Sequence, residues 1–233
     1  MRKQLWIIAA VALLQAGLRG EDLAPGKLLV ASRDLLDPNF AQTVVLLVRY
    51  DDDSVLGLII NRRTQIPLAR VFPELKEAKG QADPIYRGGP VERTAALALM
   101  RARTKPEEAE HIFANVSMIA SRALLDKTIA ERMDPSMFHV YLGYSGWTKR
   151  QLQGEVELGA WRIFPGTAAA VFDPDPETLW ARLIRKTEER IALAAEGVPY
   201  TNANHRSFVN RRHTARPRAE SQKERSAARA EKS

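Results

Sequence analysis

Two unbroken apolar runs, Thr43-Val44-Val45-Leu46-Leu47-Val48 and Val55-Leu56-Gly57-Leu58-Ile59-Ile60, constrain this chain more than any other feature. Each is six residues long and rich in β-branched side chains, which fits a strand and is short for a helix. The first run does not alternate with polar residues, which points to a strand covered on both faces, and the second returns as another apolar strand. Asp51-Asp52-Asp53-Ser54 supplies the polar turn, and the pair reads as a hairpin inside a larger sheet.

Gly26 to Ala31 reads as a first strand, ending in the turn-rich Asp37-Pro38-Asn39. Ile66 to Leu75 is predicted as a short helix, and Pro84 to Arg87 as a brief strand stopped by Gly88-Gly89-Pro90. Ala95–Arg101, Ile112–Ile119 and Phe138–Leu142 are further strands. Ser121 caps a helix that runs to about Arg132. Thr148-Lys149-Arg150-Gln151 has the spacing of a capping box, opening a helix that Gly159 ends. Trp161 to Phe164 is the last strand. Pro176 stands at the first position of a final helix, whose apolar face is Leu179, Leu183, Ile184 and Ile191. Strands and helices are interspersed without a strict βαβ rhythm, so the fold class is α+β with a mixed sheet flanked by helices in one domain, residues 21–199.

The charge of +7 sits at the ends. Residues 200–233 hold nine Lys/Arg against three Glu, a surplus of +6, and residues 1–20 add +3, which leaves −2 on the body. The tail has almost no apolar residues and is predicted to be disordered. Its Arg211 and Arg212 are candidate contacts for anionic polymers or a membrane surface. Residues 1–20 resemble an export leader: Arg2 and Lys3 precede the apolar run Leu5–Leu14, too short for a comfortable membrane span. Cleavage after Ala16 or Gly20 would put Leu14 or Leu18 where a small residue is preferred, so an uncleaved anchor and a segment packed on the domain stay open. The expected location is the periplasm or the exterior, with the cytoplasm as the alternative. Cysteine is absent, which excludes disulfides, thiolate zinc sites and a cysteine nucleophile.

Five blocks in order resemble the AlgH/YqgE family of bacterial proteins. They are Gly26–Ala31 with Leu36–Phe40, Thr43–Leu47, Gly57–Arg62, Gly88–Val91, and Gly143–Trp147 with Gln151, Leu152, Glu155 and Trp161. Together they span roughly residues 26 to 190. The resemblance implies a mixed, barrel-like sheet in one domain and implies little about activity, although one branch is labelled a transcriptional regulator. The chain departs from the pattern at Arg63, where a proline is usual, and at Ser145, where alanine is usual. Thr148-Lys149-Arg150 replaces a Gly/Pro-rich turn, and Gln153 stands in place of a glutamate.

Asn61, Arg62, Trp147 and Glu155 are the family positions that form a candidate polar cleft, since strand ends deliver side chains to pockets. The structural alternative has Asn61 capping a turn and Glu155 paired with an arginine. Gly88 and Gly89 are candidate anion contacts through their N–H groups, although neither a P-loop nor a dinucleotide fingerprint surrounds them. Gly143-Tyr144-Ser145-Gly146-Trp147 fails as a hydrolase elbow, because Trp147 occupies the position that must be small. It reads instead as a strand-to-helix junction with Trp147 buried. Asp51–Asp53 lacks the Gly and Glu of a calcium loop. His111 and His139 lack a second ligand at metal spacing, and His139 is expected to face solvent or a groove. No metal, cofactor or catalytic residue is assigned. The leading expectation is a non-enzymatic binding or accessory domain for a protein or small ligand. Its alternatives are a cytoplasmic regulator that holds nucleic acid through the tail, with no helix-turn-helix pattern, and a hydrolase of unrecognised type using Ser145 or His139.

Overall fold

A computed structural model of the protein describes residues 23–195 apart from 53, 82, 83 and 105. The leader at 1–20 and the tail at 200–233, with Arg211 and Arg212, lie outside the described residues. The apolar runs form β2 (Val44–Tyr50) and β3 (Val55–Ile59), which follow β1 (Lys27–Ala31) in an antiparallel meander. Next come β4 (Arg63–Pro67), the one-turn helix α1 (Leu68–Val71), β5 (Pro84–Arg87) and β6 (Val91–Arg101). A hairpin of β7 (Glu110–Phe113) and β8 (Val116–Ile119) leads to helix α2 (Arg122–Ala130). The chain continues through β9 (Phe138–Trp147), α3 (Lys149–Glu157), β10 (Trp161–Pro165), α4 (Ala168–Val171) and α5 (Pro176–Ala195). The sheet and the helices up to Glu188 form one compact unit, and Glu189 to Ala195 at the end of α5 belong to a second.

These strands form a curled, half-barrel sheet in the order β10-β1-β2-β3-β9-β6-β8-β7, with β5 joined to β9 and β4 to β5. All pairs are antiparallel except β5 with β9, which makes the sheet mixed. Strand β9 is its spine. One edge pairs with β6, and the other pairs first with β5 and then, beyond Gly143, with β3. Successive residues feed different cores, as the period of two requires. Tyr86, Leu99 and Tyr141 enter a core closed by Leu179, Trp180, Leu183 and Ile184 of α5. Their neighbours Ile85, Ala98, Met100 and Val140 enter a second core closed by Leu125 and Ile129 of α2. Each fully buried Leu, Ile or Val in these layers contributes about 1.5–3 kcal/mol over its exposed state.

Three local expectations are corrected. Residues 66–75 do not form one helix: Thr64 Oγ1 donates to the Ile85 carbonyl at 2.6 Å within the β4–β5 pair. Pro67 and Pro73 then leave room for one helical turn. The strand expected over 112–119 is a hairpin, broken where Ala114 turns left-handed at φ 46°. Ile191 is 46% exposed, whereas Leu179, Leu183 and Ile184 are buried. The caps match their residues, since Ser121 accepts from the Leu124 N–H and Pro176 opens α5.

Candidate functional site

The site is built around the loop Asp37–Gln42 between β1 and β2. The loop turns on itself through Asp37, whose carbonyl accepts from the N–H groups of Phe40 (2.9 Å) and Ala41 (2.7 Å). Gln42 at its end is left-handed, with φ 59°. Asn61 sits just past β3 and is buried. Its Oδ1 accepts from the Val44 N–H at 2.8 Å, and its Nδ2 donates to the Gln42 carbonyl at 3.0 Å. The amide thus satisfies one backbone donor and one acceptor where the loop joins β2. Arg62 holds the other end: Nη1 donates to the Asn39 carbonyl at 2.8 Å, and Nη2 to Pro38 and Ala41 at 3.2 Å each.

The side chain of Phe40 anchors the loop from below. Its ring stacks on Trp147 with centroids 5.4 Å apart and meets Trp161 edge-on at 5.6 Å. Glu155 on α3 accepts from both indoles through Oε2, at 3.1 Å from Trp147 and 2.8 Å from Trp161, while its Oε1 accepts from Gln151 Nε2 at 3.0 Å. An arginine partner for Glu155, the expected alternative, is therefore replaced by two tryptophans. Only half of the capping box forms. Thr148 Oγ1 accepts from the Gln151 N–H at 3.1 Å, but the Gln151 side chain turns forward to Glu155. The four family positions do converge, but on this loop: Asn61 and Arg62 hold its backbone, Trp147 its aromatic ring, and Glu155 stands behind Trp147.

Beside the loop lies a concave pocket of about 260 Å³. Pro38 and Asn39 of the loop line one side, and Arg62, Arg87 and Arg93 line it too. The Arg87 N–H donates to the Arg62 carbonyl at 2.9 Å, so the two arginines sit on adjacent backbones. Burial, and then the positive charge of Arg87, hold the Arg62 guanidinium below its ordinary pKa, with Asp37 opposing them. Sequence reasoning passed over Arg87 and Arg93. The available signal was that they flank the Gly88-Gly89 turn, one on either side.

The two glycines have a packing reason. A Cβ on Gly88 would lie 2.2 Å from the Gly143 carbonyl oxygen, and one on Gly89 would lie 2.1 Å from the Tyr144 backbone. The turn can rest on β9 only without side chains. The Gly88 N–H is given to the Leu142 carbonyl at 2.9 Å, and its own carbonyl accepts from the Ile59 N–H at 2.8 Å. This takes Gly88 out of anion binding, whereas Gly89 lines the pocket.

The remaining candidates lie elsewhere. Ser145 is fully buried, its Oγ donating to the Gly88 carbonyl at 3.4 Å. His139 does not face solvent or a groove. It is buried, stacked on Tyr86 at 4.5 Å with Phe172 at 5.1 Å, because both faces of β9 are covered. Burial depresses its pKa to about 4; Arg63 acts in the same direction, against hydrogen bonds to the Pro135 and Val171 backbones. His111 is exposed, with Nε2 3.1 Å from the Ala114 carbonyl oxygen. Asp51 closes its turn by accepting from the Ser54 N–H at 2.8 Å, and Asp52 pairs with Lys149 at 2.8 Å. Asp53 is outside the described residues. Among the described residues no group of three His, Asp or Glu side chains could hold a metal ion, and no helix is long and apolar enough to cross a membrane.

A protein-family model described as AlgH-like matches residues 28–192. A UPF0301 protein of Rhodococcus erythropolis is 30% identical over 184 residues, 75% of this chain and 88% of that protein. One from Mycobacteroides abscessus is 32% identical over 179 residues, 74% and 84% of the two chains. Among solved structures, the AlgH protein of Pseudomonas aeruginosa matches with a TM-score of 0.60 and 28% identity, over 78% of this chain and all of that one. The Corynebacterium diphtheriae protein DIP2367 matches with a TM-score of 0.63 over 74% of this chain and 92% of that one, and at 21% identity it speaks for the fold alone. With the family model spanning the sheet, the pinned loop and the pocket together, the chain belongs to the AlgH-like family.

Proposed function

We propose that this protein acts by binding a small ligand, and that the binding site is the pocket between the Asp37–Gln42 loop and the Gly88-Gly89 turn. The observation that carries this is the position of Arg62, which lines the pocket while holding three loop carbonyls. A ligand placed there touches the residue that fixes the loop. Binding without turnover is favoured because the serine and the histidine nearest to catalytic chemistry, Ser145 and His139, are enclosed in the core. The Arg2-Lys3 and Leu5–Leu14 pattern supports an exported location for this activity.

The test is a thermal-shift screen of a small-molecule collection on the full chain, repeated with Arg87→Gln. Ligands that stabilise the native protein and not the variant support the site. Turnover of ester, phosphate or peptide substrates that a point substitution abolishes would overturn the non-catalytic reading. Fractionation with intact-mass analysis tests location: an envelope species shorter by about 16–20 residues is expected. A full-length cytoplasmic species refutes export.

A further inference from the structure

Five arginines of the described residues are held by carboxylates. Arg33 pairs with Glu188, Arg49 with Glu110, Arg63 with Glu177, Arg122 with Asp126 and Arg182 with Asp173, all within 3.0 Å. The three arginines that line the pocket are not held in this way. Among the described residues no carboxylate is bonded to Arg62, Arg87 or Arg93, and no Asp or Glu lines the cavity. Asp37 acts on Arg62 only through its charge. Three arginines thus line one concavity to which no Asp or Glu contributes.

We infer that the pocket takes a small organic phosphomonoester, its phosphate dianion shared among Arg62, Arg87 and Arg93. This rests on the binding reading above and gives it a ligand class. A single guanidinium satisfies a carboxylate through two parallel hydrogen bonds, so three about one cavity exceed what a carboxylate needs. A phosphate monoester carries three terminal oxygens and close to two negative charges at neutral pH, which suits three arginines in a lining without a carboxylate. Arg62 gives three N–H bonds to the loop and has five N–H groups, so it can also reach the ligand. Ile66, Pro90 and Leu142, none of them fully buried, form the less polar accessible part of the lining, where an organic body would rest. The volume of about 260 Å³ lies below the range of roughly 300–1,000 Å³ usual for drug-sized ligands, so that body is small.

The experiment is a titration of the full chain with phenyl phosphate, inorganic phosphate and benzoate, followed by backbone amide NMR shifts. Phenyl phosphate is expected to saturate a site that shifts Asn39, Gly89 and Arg93, and to bind at least about tenfold more tightly than benzoate. Arg87→Gln and Arg93→Gln change exposed side chains and are each expected to weaken it by about tenfold or more, with the melting temperature unchanged. Benzoate binding as tightly at the same amides would overturn the phosphate class and leave the binding reading standing. Inorganic phosphate binding as tightly as phenyl phosphate would overturn the organic body. Shifts that map elsewhere, or binding that survives both substitutions, would overturn the pocket together with its ligand.

Discussion

Glu155→Ala removes the one side chain that accepts from both indole N–H groups behind the loop. Trp147 and Trp161 are 5% and 2% exposed, so neither indole finds bulk water in compensation. A buried donor left without a partner costs about 1–3 kcal/mol, and two are orphaned together. The lost bond to Gln151 is exposed and adds little, and alanine returns a few tenths of a kcal/mol in helix propensity. The sum is a destabilisation of about 2–6 kcal/mol, which lowers the melting temperature by roughly 4–24 °C for a domain of this size. Glu155→Gln keeps an amide oxygen with two lone pairs where Oε2 now stands; it loses the charge assistance and, with its NH2 facing Gln151 Nε2, the exposed bond from Gln151, together roughly 1–2 kcal/mol. Urea unfolding followed by tryptophan emission measures both variants. The order wild type, glutamine, alanine is expected. An alanine variant within about 0.5 kcal/mol of wild type, or a glutamine variant as unstable as the alanine one, would refute the account of Glu155 as a shared acceptor.

The other expectations follow from single groups. His139 has a folded pKa of about 4 against an ordinary 6.5, so between these values the unfolded chain binds the extra proton. Stability should therefore be complete above about pH 6.5 and fall as pH drops toward 4, by up to about 3 kcal/mol, with His139→Phe removing that slope in urea titrations at each pH. Gly89→Ala drives a Cβ into the Tyr144 backbone and should cost about 3 kcal/mol, visible as a lower urea midpoint; an unchanged midpoint would contradict the packing. Arg62→Lys substitutes a point charge for a fork that spans three carbonyls. Hydrogen exchange at Phe40, Ala41 and Thr43 should quicken about tenfold while amides of β2 and β9 keep their rates.

What the sequence revealed divides along the range of the interactions involved. The β2–β3 hairpin was legible because its apolar runs and acidic turn lie within 18 residues of one another. The caps at Ser121 and Thr148 were legible because each acts on an N–H three residues away. Helix 66–75 was misread because the bond that draws Thr64 into a strand comes from Ile85, 21 positions on. The convergence of Asn61, Arg62, Trp147 and Glu155 was anticipated as a polar cleft, but its target was not. Asn61 reaches Gln42 across 19 positions, and Phe40 meets Trp147 only after β9 has crossed the sheet. The pocket was the least visible feature for a further reason. A chain rich in arginine does not declare which ones are neutralised, since the partners of Arg49, Arg63 and Arg33 stand 61, 114 and 155 positions away. Arg87 and Arg93 acquire meaning only when the fold sets both of them around a cavity beside Arg62. Their message lies in the absence of a carboxylate partner among the described residues, which a linear pattern cannot encode and a folded surface does.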